Sequence, residues 1–160
     1  MALTLRPVID TDLPIFFAQQ ADPVANAMAV FGAARPDDAA AFGAKWARIR
    51  ASPDLLTRTV VVEDAVAGYV AHFPLMGQPS IAYWLGRAFW GRGIASTAVA
   101  QFIATIPTRP LYARVAVGNT ASARVLARTG FRAVGRDRGH APSLDRMVEE
   151  EIFRLDAGPL

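Results

Sequence analysis

Residues 90–96, WGRGIAS, place two glycines one residue apart around an arginine and pass at once into STAVAQFIATI, a run of small and helix-tolerant residues. The chemistry open to such a stretch is anion binding. A helix N-terminus presents N–H groups without intrahelical partners and a partial positive charge, and glycine lets backbone approach a phosphate closely. Two phosphate motifs do not fit. A P-loop needs a lysine after its second glycine, and this stretch has none. A dinucleotide fingerprint needs a third glycine or alanine three residues on and an acidic residue about 20 residues later. Here Ser96 stands at the first place, and residues 105–118 hold neither Asp nor Glu. Backbone amides would therefore hold any phosphate largely without metal. A lone G-x-G is equally at home in a turn before a helix, so the rest of the chain must decide. Other reactive chemistry is scarce. The chain has no cysteine, hence no disulfide, thiol nucleophile or thiolate metal site, and His72 and His140 are too far apart in sequence to suggest zinc.

Periodicity supplies the elements around this stretch. LTLR (3–6) reads as a first strand, and Asp10, Thr11 and Asp12 offer N-cap oxygens to a helix over LPIFFAQQ, with Pro14 in its first turn. A second helix starts near RPDDAA, with Phe42, Trp46 and Ile49 forming an apolar stripe at i, i+4, i+7. TRTVVVEDAVAGYVAHFPLM reads as a β-hairpin turning at Glu63–Asp64, and SIAYWLG (80–86) as a third β run. After the glycine stretch a helix runs to about Ile106, where PTRP stops it. LYARVAV (111–117) is a strand, GNTASARVLARTG (118–130) a helix with Gly130 as its cap, and FRAVGR and MVEEEIFRL two closing strands. The order β–α–α–β–β–β–α–β–α–β–β, without repeats, linkers or low-complexity stretches, describes one mixed α/β domain over residues 1–160.

Composition agrees. A chain of 160 residues that is 52% hydrophobic and 19% charged can bury a full core. No apolar run approaches the ~18 residues of a membrane span, and the N-terminus lacks the apolar core of a secretory signal. No membrane association and a cytoplasmic location are the expectations. Residues 81–160 carry eleven arginines against six acidic residues, while residues 1–80 carry six basic and eight acidic ones. The basic half contains the glycine stretch, as an anionic ligand favours; an arginine-biased composition is the alternative, since a single basic residue is lysine. The arginines form no dense run interleaved with aromatics, so no nucleic-acid partner is expected.

IAYWLGRAFWGRGIASTA resembles the acetyl-CoA motif of the GNAT family of N-acetyltransferases, whose loop runs Gln/Arg-x-x-Gly-x-Gly/Ala. Trp90 stands where Gln or Arg is usual, a departure similar to the RimJ/RimL-like branch. A second block, Asn119-x-x-Ser122 followed by Arg128-Thr129-Gly130-Phe131, resembles the family's Asn-x-x-Ser helix ending in Gly-Phe. The two blocks stand one helix and one strand apart, and the element order matches the family fold from residue 3 to 155. The implied fold is a mostly antiparallel twisted sheet of about seven strands flanked by about four helices, with two central parallel strands splayed apart.

The resemblance also implies the chemistry. Pantetheine enters between the splayed strands, where backbone groups near Leu85 and Arg87 pair with its amides. The pyrophosphate of acetyl-CoA sits on the N–H groups of Gly91, Arg92, Gly93, Ile94, Ala95 and Ser96. A primary amine attacks the thioester directly, with a strand N–H stabilising the developing oxyanion. Ser122, with Asn119 one turn earlier, is the implied proton donor to the leaving thiolate; a hydroxyl that satisfies local backbone is the other reading. A base for the incoming ammonium is not assigned. His72 reads equally as a packed strand residue, Glu63 as a solvated turn residue, and Asp145 and Glu149 merely flank the final strands. Tyr83 and Trp84 precede the splay point, and one lining the acceptor pocket or both packing in the core are equal readings; the family fold builds that pocket from segments 20–36 and 137–146. The acceptor is an amine-bearing small molecule or a protein N-terminus, a homodimer is a possible assembly, and a non-catalytic acyl-CoA-binding or sensing module is the alternative function.

Overall fold

A computed structural model of the chain describes residues 1–25, 35–141 and 145–157. The elements are β1 (Leu3–Arg6), α1 (Leu13–Ala21), α2 (Ala39–Ala51), β2 (Leu56–Val62), β3 (Ala65–Leu75), β4 (Gln78–Leu85), α3 (Ile94–Ala104), β5 (Leu111–Ala116), α4 (Thr120–Arg128), β6 (Arg132–Ala141) and β7 (Arg146–Leu155). Their order is the one expected from periodicity. Single 3-10 turns at Asp10–Asp12 and Arg87–Phe89 precede α1 and the glycine loop. Of the expected acceptor segments, residues 26–34 and 142–144 lie outside the described residues.

The strands form one seven-stranded sheet in the order β1-β2-β3-β4-β5-β7-β6. Every neighbouring pair is antiparallel except β4 and β5. That parallel pair is joined at a single register position, Ser80 with Tyr112. Beyond it the two strands separate, so the expected splay is present.

Local residues explain the ends of the elements. The β2–β3 hairpin turns on Glu63 and Asp64, both left-handed at φ 49° and 65°, which suits a two-residue turn between right-twisted strands. Asp38 caps α2 by accepting from the Ala41 amide at 2.9 Å. At the end of α4, Gly130 takes φ 100°; its amide reaches the Ala127 carbonyl and that of Phe131 the Leu126 carbonyl, closing a Schellman motif. One expectation changes. Asp12 does not cap α1 with its side chain; its carboxylate takes the Arg6 guanidinium at 2.7 and 2.8 Å, the Ile9 amide and the Thr59 hydroxyl. A long-range charged partner outcompetes the local cap, and α1 is thereby pinned to β1 and β2.

The two sheet faces carry different cores. On one face α3 and α4 bury Ile94, Val99, Phe102 and Leu126 against Val60, Val70, Ile81, Leu85 and Val115. On the other, Phe16 of α1 and Phe42 and Trp46 of α2 pack on Tyr69 of β3. The rings of Trp46 and Tyr69 meet edge-to-face with centroids 4.9 Å apart. Because successive strand residues point to opposite faces, Ile81, Tyr83 and Leu85 belong to the α3/α4 face. Ala82, Trp84 and Arg114 belong to the α1/α2 face. Among the described residues no helix is long and apolar enough to cross a membrane.

Candidate active site

The divergence of β4 and β5 opens a cleft of about 620 Å³. Its lining comes from both faces of the sheet. The glycine loop, the start of α3 and one side of α4 contribute from one face; Gln20, Lys45, Tyr69 and Trp84 contribute from the other. The cleft therefore passes between the strands rather than lying on the sheet.

At the α3 end the backbone is arranged for an anion. Gly91 and Gly93 have φ of 73° and 74°, a left-handed conformation that costs other L-residues roughly 1–2 kcal/mol. Apart from the adjoining residues of the loop, no atom of the described residues lies within 4 Å of where a Cβ would stand at either glycine. The first intrahelical bond runs from the Thr97 amide to the Gly93 carbonyl, and no side chain caps the helix. The amides of the first turn thus face open space carrying the positive end of the helix dipole. Ile94 is buried and anchors the turn from below.

Trp90 shows why a departure from the usual loop residue is tolerated. Its indole Nε1 donates to the Leu85 carbonyl at 3.0 Å, tying the loop back to the end of β4. That bond uses the carbonyl that an extended ligand would otherwise find at Leu85. Arg87 turns outward to Asp22 at 3.0 Å, and the Arg92 guanidinium lies over the Phe89 ring at 5.7 Å. Leu85, Gly91, Gly93, Ile94, Ala95, Ser96, Asn119 and Ser122 all line the cleft, whereas Arg87 and Arg92 do not.

Two hydroxyls meet in the cleft. Asn119 is the N-cap of α4, its side-chain oxygen accepting from the Ser122 amide at 3.2 Å. This holds Ser122 on the first turn, where its Oγ meets the Tyr83 hydroxyl of β4 at 2.7 Å. Burial pushes the Tyr83 phenol up from its ordinary value, and the bond to Ser122 opposes that rise. Tyr83 thus stays protonated at neutral pH, and Ser122 bonds across the cleft rather than to its own backbone. Sequence reading had placed Tyr83 near the pocket without seeing this partnership, because the two residues lie 39 positions apart.

Other expected groups fall elsewhere. His72 sits in β3 between Leu56 and Ile81, away from the cleft lining, and burial lowers its pKa. Glu63 accepts from the Ala2 amide at 3.0 Å, Asp145 faces His140 at 3.1 Å, and Glu149 lies 3.8 Å from Arg136. Arg124 and Arg128, one turn apart on α4, do line the cleft. Their i, i+4 spacing after Asn119 was the available signal and went unread. Among the described residues no group of three or more His, Asp or Glu could hold a metal ion.

A family model for the acetyltransferase (GNAT) domain matches residues 2–132. The chain belongs to the GNAT family. A curated relative, an uncharacterized N-acetyltransferase p20 of Bacillus licheniformis, is 31% identical over 83 residues, covering 49% of this chain and 47% of the relative. The match thus spans about half the length of that protein. Solved structures share the GNAT fold over nearly the whole chain. RimJ of Mycobacterium smegmatis, in complex with CoA-disulfide, has a TM-score of 0.81 at 19% identity over 97% of this chain and 82% of that one. Ribosomal-protein-alanine N-acetyltransferase from Brucella melitensis has 0.79 at 20% over 98% and 100%. Spermidine N-acetyltransferase from Vibrio cholerae, in complex with CoA and spermine, has 0.80 at 15% over 96% and 95%.

Proposed function

We propose that this protein is an acetyl-CoA-dependent N-acetyltransferase of the RimJ/RimL-like kind that acetylates a primary amine. The observation that carries the reading is the cleft between β4 and β5, which joins open helix-terminal amides to a hydroxyl pair. The residues present suit the cofactor: glycine-freed amides from Gly91 to Ser96 for the pyrophosphate, and Arg124 and Arg128 for further phosphate charge. Acetyl-CoA supplies an activated acyl group as a thioester.

The chain's own residues then supply position and a proton. The splayed strands hold an extended ligand arm between them and keep water away from it. Ser122 Oγ protonates the departing thiolate, and Tyr83, hydrogen-bonded behind it, orients the hydroxyl and replenishes the proton. The RimJ/RimL-like assignment rests on Trp90 in the loop and on the fold shared with RimJ.

A panel of amines and peptides, assayed for release of CoA thiol, tests the activity. Thiol release with at least one amine is expected. Tight acetyl-CoA binding without turnover of any amine would favour the non-catalytic binding module. Gly93→Val should weaken acetyl-CoA binding about 100-fold, because a β-branched residue resists the left-handed turn and its side chain enters the phosphate seat. Unchanged calorimetric affinity would remove the pyrophosphate assignment.

A further inference from the structure

On the side of the cleft facing α1 and α2, the described lining offers hydrogen-bond donors and no carboxylate. Lys45 of α2 lines it, and no described residue forms an ion pair with its ammonium. It is the single lysine of the chain. Trp84, also in the lining, has a buried indole Nε1 without a hydrogen-bond partner among the described residues. Arg114 is the other cation on this face. Its Nη1 is taken by Asp137 at 2.9 Å and Glu150 at 2.7 Å, and neither carboxylate reaches the lining itself. No Asp or Glu lines the cleft among the described residues.

From this charge pattern we infer that the acceptor is a small primary amine carrying its own anionic group, a carboxylate or similar oxyanion, which Lys45 and the Trp84 indole N–H receive. The inference rests on the acetyltransferase reading and names its substrate class. A polyamine would bring a second cation to a surface that offers it no carboxylate, and like charges in a desolvated site repel. A buried N–H without an acceptor costs free energy that a bound carboxylate recovers. Lys45 supports this role from the other direction. The side chain as a whole is exposed; partial desolvation of its ammonium, and then nearby Arg48, lowers its pKa, and an anion placed beside the amine restores the charged form. The reaction balances without a further reactant. The neutral amine nitrogen forms the amide bond, the thioester C–S bond breaks, the thiolate takes a proton from Ser122, the nitrogen loses one to solvent, and the Ser122–Tyr83 pair regains its proton from solvent.

The test compares matched acceptors in the full-length protein: free α-amino acids, their carboxamides, spermidine and an uncharged hexapeptide, each followed by CoA thiol release. Free amino acids should exceed their carboxamides at least tenfold in kcat/KM, with spermidine and the peptide lower still. Lys45→Met should raise KM for the carboxylate-bearing acceptors about tenfold and erase their advantage over the amides, with acetyl-CoA affinity unchanged by calorimetry. Lys45→Arg should restore most of that preference. Carboxamide, spermidine or peptide turnover at or above that of the amino acids overturns the inference, as does a preference indifferent to Lys45→Met. Acetyl-CoA binding without turnover of any acceptor overturns it too. Failure to bind acetyl-CoA instead strikes at the parent reading, which separates the two failures.

Discussion

The two mouths of the cleft are built from different materials. On the α3/α4 side the donors are main-chain amides freed by Gly91 and Gly93, resting on an aliphatic core. On the α1/α2 side they are side chains, Lys45 and Trp84, standing beside the aromatic cluster of Phe16, Phe42, Trp46 and Tyr69. A backbone site tolerates almost any side chain and so suits a ligand common to a whole family. A side-chain site changes with each substitution and so suits the ligand that varies. The difference also explains why one mouth left a motif and the other did not.

The contrast can be broken first at its foundations. Trp46, 1% exposed, fills the aromatic cluster, so Trp46→Ala should cost ~3–5 kcal/mol of stability. If the faces are separable, the folded variant retains acetyl-CoA affinity in calorimetry and loses acceptor turnover; parallel loss of both would show one coupled unit. Ser122→Ala should lower kcat about 100-fold, in the span of general-acid effects, with cofactor affinity little changed. Wild-type turnover would reduce Ser122 to a helix residue whose hydroxyl merely binds Tyr83.

A smaller effect comes from Asp12, which anchors α1 on the α1/α2 face of the sheet. Burial acts to raise its carboxyl, but Arg6, the Ile9 amide and Thr59 outweigh that and hold it at about 2 against the usual 3.8. A depressed carboxyl contributes stability that is present above its unfolded pKa and lost as pH falls through the folded one. Acid should therefore remove ~2 kcal/mol between about pH 5 and pH 1. Denaturant melts across that window should show the loss in wild type and its absence in Asp12→Asn, which starts from a lower stability at neutral pH.

Much of the fold was legible because its signals are local. LTLR is β1 to the residue, the Glu63–Asp64 turn is where two polar residues interrupt two β runs, and Gly130 ends α4 by taking the conformation its missing side chain allows. Element ends and caps differ where other side chains take the backbone groups, as the Thr105 hydroxyl and the Arg109 guanidinium do at the Phe102 and Ile103 carbonyls. The helix expected to reach about Ile106 stops at Ala104. Asp12 abandons its cap for Arg6, six residues earlier, and for Thr59, far away in sequence. At the site, the glycine loop and the Asn119–Ser122 pair were readable at fixed short spacing. The Tyr83–Ser122 contact and the approach of Lys45 to Trp84's side of the cleft were not, since no local pattern records which strand faces which helix.

The sequence by itself determined the backbone half of this protein: left-handed glycines before a helix, a capped second helix and an alternation that builds the sheet. Those features follow from dihedral preference and short-range hydrogen bonding, which depend on neighbours along the chain. Only the tertiary structure decided what the cleft contains. The single parallel pairing at Ser80 and Tyr112 opens the strands, and strand alternation then sends Tyr83 to Ser122 and Trp84 to the opposite face. Which charges meet there depends on how two faces of one sheet are covered. That outcome is set by burial and long-range packing.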